Sequence, residues 1–330
     1  MNGTDAHLAM PAASTVAWGE RARGVLAVWG WRRTRHRVAP GLYSFGSPSS
    51  DSPVFVSANY KLSFDTLRRA LSGMDAWILA LNTRGINVWC AAGKGTFGTD
   101  EIVWRIAACD LASVVRHRRL VLPQLGAPGV AAHEVLKRTG FRVVYGPVRA
   151  RDIKKFLDQD MRADRDMRQV RFPLGERLML APMECHLALK YFLGYAVLAA
   201  LFVWGFKRAS PEGLRAHLLP MLGAILTGTV LTPALLPWLP LRSFALRGWS
   251  LGLLWAAATA WLWPCGALTL SGRFLLLPAL SAFLALNFTG SSTFASPSGV
   301  NREIGLFARP LALLGLAGWL LMLVGWRWRP

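Results

Sequence analysis

The chain has 330 residues, 53% of them hydrophobic, and a mean hydropathy of +0.33, which excludes an ordinary soluble domain. Lys and Arg number 38 against 18 Asp and Glu, a formal charge of +20. No nucleic-acid motif and no aromatic–basic platform accompany that charge, so nucleic acid is excluded as a partner and anionic membrane lipid is expected instead.

Residues 1–50 read as a basic lead-in, with Arg32-Arg33-Thr34-Arg35-His36-Arg37 ahead of Pro40-Gly41 and a serine-rich loop around Pro48. The first 30 residues lack the sustained apolar core of a signal peptide. From 51 to 162, strand and helix patterns alternate. Pro53–Ser57 is a strand, and Ser63 is placed to cap a helix that runs through Leu71 and ends at Gly73. Ala76–Leu81 is apolar on both faces and is expected inside a parallel sheet. Asp100–Asp110 follows as a helix capped by Thr99, then Arg119–Pro123 as a third strand. Val130–Arg138 is a helix stopped by Gly140, Phe141–Tyr145 a fourth strand, and Ala150–Met161 a last helix. This alternation predicts a doubly wound, Rossmann-like α/β domain. Ligands of such sheets lie beyond the carboxyl ends of the strands. The Cys90 turn, Gly93–Gly98 and Gly126–Gly129 all follow strands and are expected on one rim.

Residues 163–186 read as a linker near a membrane surface. Only 11 basic and 2 acidic residues follow residue 186. Five apolar runs occupy 187–206, 216–236, 246–265, 274–294 and 311–326. Each approaches the ~20 residues a bilayer requires, and Trp and Tyr near their ends suit interfacial belts. They predict an all-α transmembrane domain over 187–330, multi-pass in the inner (cytoplasmic) membrane. The basic α/β domain is expected in the cytoplasm and the short C-terminal tail outside.

The four cysteines, Cys90, Cys109, Cys185 and Cys265, form no C-x-x-C pair. The chain therefore builds no iron–sulfur cluster and no zinc finger by that route, and the absence of a disulfide framework fits a reducing compartment. There is no G-x-G-x-x-G after a strand, no G-x-x-x-x-G-K-[ST], no G-x-S-x-G elbow and no D-x-H-x-x-G. Gly93-Lys94-Gly95-Thr96 has the wrong spacing for a phosphate loop. The six histidines all lie far from Cys90 in sequence, so a Cys/His hydrolase dyad is unsupported. A thiol on a strand-to-helix turn serves as a nucleophile, a redox sensor, a single metal ligand or an inert buried group, and residue spacing alone leaves these open.

The segment Asn87-Val88-Trp89-Cys90-Ala91-Ala92-Gly93-Lys94-Gly95-Thr96-Phe97-Gly98-Thr99 resembles the signature of the mercury-methylating corrinoid protein (HgcA) family. The stretch from His36 through Tyr60–Asp65, the run Leu122–Gly129, and Asn287–Phe294 in the apolar half are similar to that family too. The likeness covers most of residues 36–330. More distantly, the α/β half looks like the corrinoid-binding domain of the corrinoid iron–sulfur protein large subunit of the acetyl-CoA pathway.

The resemblance implies a cobalt-containing, cobalamin-type corrinoid held by Asn87, Val88, Trp89, Cys90, Ala91, Ala92, Gly93 and Lys94. In the family this segment is a helix beneath the cofactor. Its cysteine, here Cys90, is the lower axial ligand to cobalt. Thr96, Thr99, Gly126 and Gly129 are further candidate contacts; turn formation is their alternative role, and solvation is that of Lys94. The implied activity is methyl transfer from the corrinoid to Hg(II), forming methylmercury. The methyl group would come from a methyltetrahydrofolate pathway, and a separate ferredoxin with two [4Fe–4S] clusters would act as reductant. A soft thiolate ligand enriches the transferred carbon in electrons, which suits a soft electrophile. A helix N-terminus and a bound metal both favour the thiolate over the thiol. The motif speaks more directly for the cofactor than for the acceptor. A corrinoid methyltransferase for another acceptor and a non-catalytic membrane corrinoid carrier therefore remain alternatives. Cys109, Cys185 and Cys265 read as ordinary apolar positions, and Asn287 and Thr289 as hydrogen-bonding groups between helices.

Overall fold

The computed structural model describes residues 9–12, 36–205, 211–289 and 297–327. The expected basic run at 32–35 and the segment 290–294 lie outside these residues. The chain forms two compact units, Met1–Arg171 and Phe172–Pro330.

The first unit is built on a six-stranded sheet in the order β1-β2-β4-β3-β5-β6. Its strands are β1 (Met10–Ala12), β2 (Gly41–Phe45), β3 (Val54–Ala58), β4 (Ala76–Leu81), β5 (Arg119–Leu122) and β6 (Arg142–Tyr145). All neighbours are parallel except β2 and β4, which run antiparallel. Side chains alternate between the faces with the two-residue period of a strand. Val54, Val56, Leu79 and Leu81 join one core with Ile102, Ile106 and Val135. Phe55, Ile78 and Ala80 join the other with Phe64, Leu67 and Phe156. Helices therefore cover both faces, as the apolar central strands require. One face carries α3 (Thr99–Ala108) and α5 (Ala132–Thr139); the other carries α1 (Lys61–Ala70) and α6 (Ile153–Asp158).

Several expectations change. Residues 41–45 are not loose lead-in: they pair along the whole of β4, from Gly41↔Ala80 to Phe45↔Ala76. The sheet is accordingly mixed, and β4 is parallel on one side only. Helix α1 starts two residues before Ser63. Tyr60 stands at its N-cap and its side chain makes no capping bond to the helix, and the Lys61 N–H donates to the His36 carbonyl at 3.1 Å. Thr99 is the first residue of α3 rather than its cap, a place taken by Gly98. The last helix is short, confined to Ile153–Asp158 after a 3₁₀ turn at Ala150–Asp152.

The second unit is helical: α8 (Leu174–Gly205), α9 (Pro211–Leu226), α10 (Thr232–Leu235), α11 (Phe244–Leu262), α12 (Ala267–Phe288) and α13 (Pro297–Arg327). A π turn at Thr227–Leu231 joins α9 to α10. Helix α12 is the centre of the packing, flanked by α11 and α13. Among the described residues four helical stretches, not five, are long and apolar enough to cross a membrane: Leu174–Leu201, Leu214–Leu235, Ala267–Phe288 and Gly299–Gly325. The expected third span, realised as α11, does not qualify. Arg247, Ser250, two glycines and three tryptophans dilute its aliphatic content. The expected linker is mostly helix, because α8 already begins at Leu174 and includes Pro182. The expected fourth run stopped short of Arg273, yet α12 extends through that residue to Ala267.

Candidate functional site

The chain leaves β4 at Leu81 and enters α2 (Val88–Gly93), the six-residue helix that carries Cys90. So short a helix has few internal hydrogen bonds, and its ends decide its geometry. At the start, Asn87 has extended backbone angles and its Oδ1 accepts the Cys90 N–H at 2.9 Å. At the end, the Gly95 N–H donates to the Ala92 carbonyl at 3.2 Å and the Thr96 N–H to the Ala91 carbonyl at 2.9 Å. That pair of bonds, with Gly95 at φ +74°, is a Schellman turn. Within the helix, Ala91 and Ala92 are buried against the sheet core. Val88, Trp89 and Cys90 are half-buried, while Gly93 and Lys94 are exposed. The Cys90 thiol is free of any disulfide.

A second loop closes on this one. The 3₁₀ segment Gln124–Gly129 after β5 packs against α2. A Cβ placed on Gly129 would lie 2.2 Å from the Phe97 carbonyl oxygen and 3.0 Å from Ala92 Cα. One on Gly126 would lie 2.5 Å from the Phe97 ring. The Thr99 hydroxyl accepts the Ala131 N–H at 2.9 Å, and the Tyr145 hydroxyl donates to the Val130 carbonyl at 2.9 Å. Burial pushes the Tyr145 phenol above its usual range, so it stays a donor there at neutral pH. Gly126, Gly129, Thr96 and Thr99 thus meet α2 on one rim of the sheet. Thr96 turns its hydroxyl toward the Ala91 carbonyl at 3.4 Å, and Lys94 extends into solvent.

Strand order reverses between β3 and β5, because β3 leads to β4 on one side while β5 lies on the other. At that switch point a cleft of about 490 Å³ is lined by Ser57, Ser63, Val88, Pro123 and Pro147, among others. A second cleft, of about 620 Å³, is lined in part by Arg37, Asn59 and Asn82.

The residues that hold the β4–α2 loop escaped the sequence reading. Asn59, directly after β3 and 1% exposed, accepts the Thr83 and Gly85 N–H groups at Oδ1, at 3.1 and 3.0 Å. Glu101 accepts the Asn82 N–H at 2.8 Å and is itself paired with Arg105 at 2.7 Å. For Asn59 the one available signal was position, directly after a buried strand, whereas Glu101 stands in the first turn of α3.

The donor set limits what the site can bind. Among the described residues no three His, Cys, Asp or Glu side chains come together as a metal cluster. Cys90 thus lies outside any three-residue cluster of such side chains, which suits a single protein ligand to a metal held in a macrocycle. The half-buried thiol beside buried alanines and exposed Gly93 fits that requirement, since no bulky side chain of α2 follows Cys90.

Residues 26–157 match the family model described as CO dehydrogenase/acetyl-CoA synthase delta subunit. Acetyl-CoA decarbonylase/synthase complex subunit gamma of Archaeoglobus fulgidus is 34% identical over 130 residues, 39% of this chain and 27% of that protein. The subunits named gamma of Methanopyrus kandleri and Methanosarcina acetivorans are 30% and 32% identical over 130 and 132 residues, each 39% of this chain and 28% of the relative. The chain thus spans little more than a quarter of the length of these relatives. The stretch that builds the α/β unit and its Cys90 turn is similar to subunits of the CO dehydrogenase/acetyl-CoA synthase system.

Proposed function

We propose that the protein is a membrane-anchored, corrinoid-dependent methyltransferase that delivers a methyl group to inorganic Hg(II), and that the Cys90 thiolate would be the chain's ligand to the corrinoid cobalt. The observation that carries this reading is the Cys90 helix itself. It presents one free, half-buried thiol on a turn fixed at both ends by Asn87 and Gly95. Similarity of residues 26–157 to CO dehydrogenase/acetyl-CoA synthase subunits supports the cofactor class.

A corrinoid bound there supplies a cobalt centre that accepts a methyl group and hands it on. The chain's own residues set the conditions. Cys90 provides a soft, strongly donating ligand, matched to a soft acceptor such as thiol-bound Hg(II). Asn87 holds the first turn of α2, and so the Cys90 backbone, in place. Val88 and Trp89 offer apolar surface, exposed Gly93 and Lys94 leave room for close approach, and buried Ala91 and Ala92 seat the helix on the sheet. Thr96, Thr99, Gly126 and Gly129 shape the two loops beside it. The methyl group comes from a methyltetrahydrofolate pathway. Reducing equivalents come from a separate ferredoxin with two [4Fe–4S] clusters, in keeping with a chain that has no C-x-x-C pair. The apolar helices hold the protein in the inner membrane with the α/β unit in the cytoplasm.

Methylmercury formation, measured by mass spectrometry, tests the reading. The host is an anaerobic, methyl-corrinoid-competent strain expressing the protein with a two-cluster ferredoxin. Wild type produces methylmercury, and Cys90→Ala at equal expression produces none. A second reading, methyl transfer to a different acceptor, is favoured by the names of the relatives, which belong to acetyl-CoA chemistry. Wild-type protein that holds corrinoid yet makes no methylmercury would decide for it.

A further inference from the structure

We infer that Asn59 is a positioning residue for Cys90, acting through the loop that delivers α2. The inference rests on the proposed role of Cys90 as a metal ligand. Asn59 directly follows β3, is 1% exposed, and is tied to the neighbouring strand β4 by the bond from its N–H to the Leu81 carbonyl at 3.0 Å. Its Nδ2 donates to the Val38 carbonyl at 3.3 Å, which fixes the orientation of the carboxamide. Its Oδ1 then faces the loop. The Gly85 amide donates to that oxygen at 3.0 Å, and the Thr83 amide is shared between it, at 3.1 Å, and the Leu81 carbonyl, at 3.0 Å. The Thr83 hydroxyl lies 2.9 Å from the same oxygen and 2.7 Å from the Ile86 carbonyl. It has one proton, and the Ile86 carbonyl is its closer acceptor.

The connection to Cys90 is continuous. Ile86 is bonded back to the Thr83 carbonyl at 3.2 Å, and Asn87, the next residue, caps the Cys90 N–H at 2.9 Å. Between them the backbone adopts a conformation that does not hold itself: Arg84 at φ 58° and Gly85 at φ 74° are consecutive left-handed residues. A non-glycine residue is disfavoured in that conformation. The loop adopts it because Asn59 accepts the Gly85 amide and, together with the Leu81 carbonyl, the Thr83 amide that the turn points inward. One buried carboxamide thus converts the rigid end of β3 into a fixed starting point for α2.

The test uses full-length protein in which Cys109, Cys185 and Cys265 are serine, so that Cys90 is the only thiol. Two readouts follow Asn59→Ala, Asn59→Ser and Asn59→Asp. One is the rate of Cys90 alkylation by a maleimide without cofactor. The other is the visible spectrum of added hydroxocobalamin, which distinguishes thiolate-ligated cobalt from water-ligated cobalt. Outer residues that orient a ligand typically account for about 10- to 100-fold in metal affinity. The expected result is a loss of that size in thiolate-ligated corrinoid for Asn59→Ala and Asn59→Ser, with a changed alkylation rate and unchanged far-UV circular dichroism. Asn59→Asp keeps an acceptor oxygen for the loop but loses the donor to the Val38 carbonyl, and recovers only part of the ligation. Wild-type spectrum and alkylation rate in Asn59→Ala or, if that variant does not fold, in Asn59→Ser overturn the inference. Absence of thiolate ligation in the parent protein would instead sink the corrinoid reading, and the alkylation rates would still decide the role of Asn59.

Discussion

Two thiols of the α/β unit sit within 20 residues of each other in very different surroundings. Cys90 lies on the first turn of α2, half-buried beside exposed Gly93 and Lys94. Cys109 closes the last turn of α3, where burial pushes its thiol up, an effect that the neighbouring Arg105 guanidinium only partly opposes. Alkylation requires the thiolate, and a raised value means that the thiolate forms only as pH climbs through it. With Cys90, Cys185 and Cys265 removed, labelling of Cys109 followed by mass spectrometry is expected to climb about tenfold per pH unit from roughly pH 7 to pH 9. A plateau below pH 8 would contradict that. Gly129 makes the steric counterpart. Its missing side chain lets the Gln124–Gly129 segment rest on the Phe97 carbonyl and Ala92. Gly129→Ala must push backbone from backbone, which costs about 1–3 kcal/mol. Chemical denaturation of the full chain should show that loss, while Pro128→Ala next to it, at an exposed position, should show little.

At the scale of elements, α2 is a helix too short to hold itself, fixed by Asn87 at one end and the Gly95 turn at the other. Asn87→Ala removes the cap and should cost about 0.5–2 kcal/mol. Asn87→Asp, which keeps the accepting oxygen, should cost little. Hydrogen exchange at the Cys90 amide reads the effect directly, and equal protection in wild type and Asn87→Ala would sink the argument. This helix entered only through the family resemblance, and its Gly95-ended turn was not read from the sequence. The alternation of β3, α1, β4, α3, β5, α5 and β6 was visible because apolar patterning and glycine stops are local. Strand β2 was not. Gly41–Phe45 has no helix behind it and is held by antiparallel pairing with β4, a partner more than 30 residues away. Asn59 was equally silent: a lone asparagine acquires meaning only when Thr83 and Gly85 are folded over it. The ends of α12 were missed because a charge in an apolar run reads as a boundary, whereas Arg273 is inside the helix and wholly buried.

At the scale of the molecule, the two units keep separate cores, and the helical unit buries polar side chains within its own. In the helical unit the largest such problem is Arg273. A guanidinium among apolar helices is costly unless its donors are used. Its Nη1 donates to the Thr259 and Trp263 carbonyls at 3.1 and 2.6 Å, and its Nη2 to the Ala216 carbonyl at 3.0 Å. Thr259 and Trp263 lie at the C-terminal end of α11, whose carbonyls carry partial negative charge, and the Thr259 carbonyl also accepts the Trp263 N–H at 3.0 Å. Arg273 therefore joins α12 to the end of α11 and to α9 through acceptors that no aliphatic side chain could satisfy. Arg273→Leu leaves those carbonyls buried without this donor, at about 1–3 kcal/mol for each that finds no replacement. Arg273→Lys should recover only part, since an ammonium is a point donor without the planar fork. Thermal unfolding in detergent, followed by size-exclusion fluorescence, should rank wild type above Arg273→Lys above Arg273→Leu. Because the α/β unit has its own core, the alkylation rate of Cys90 should be the same in all three. If Arg273→Leu matches wild type in stability, the guanidinium is not what joins these helices. If it alters Cys90 instead, the two units are coupled in a way that their separate cores do not explain.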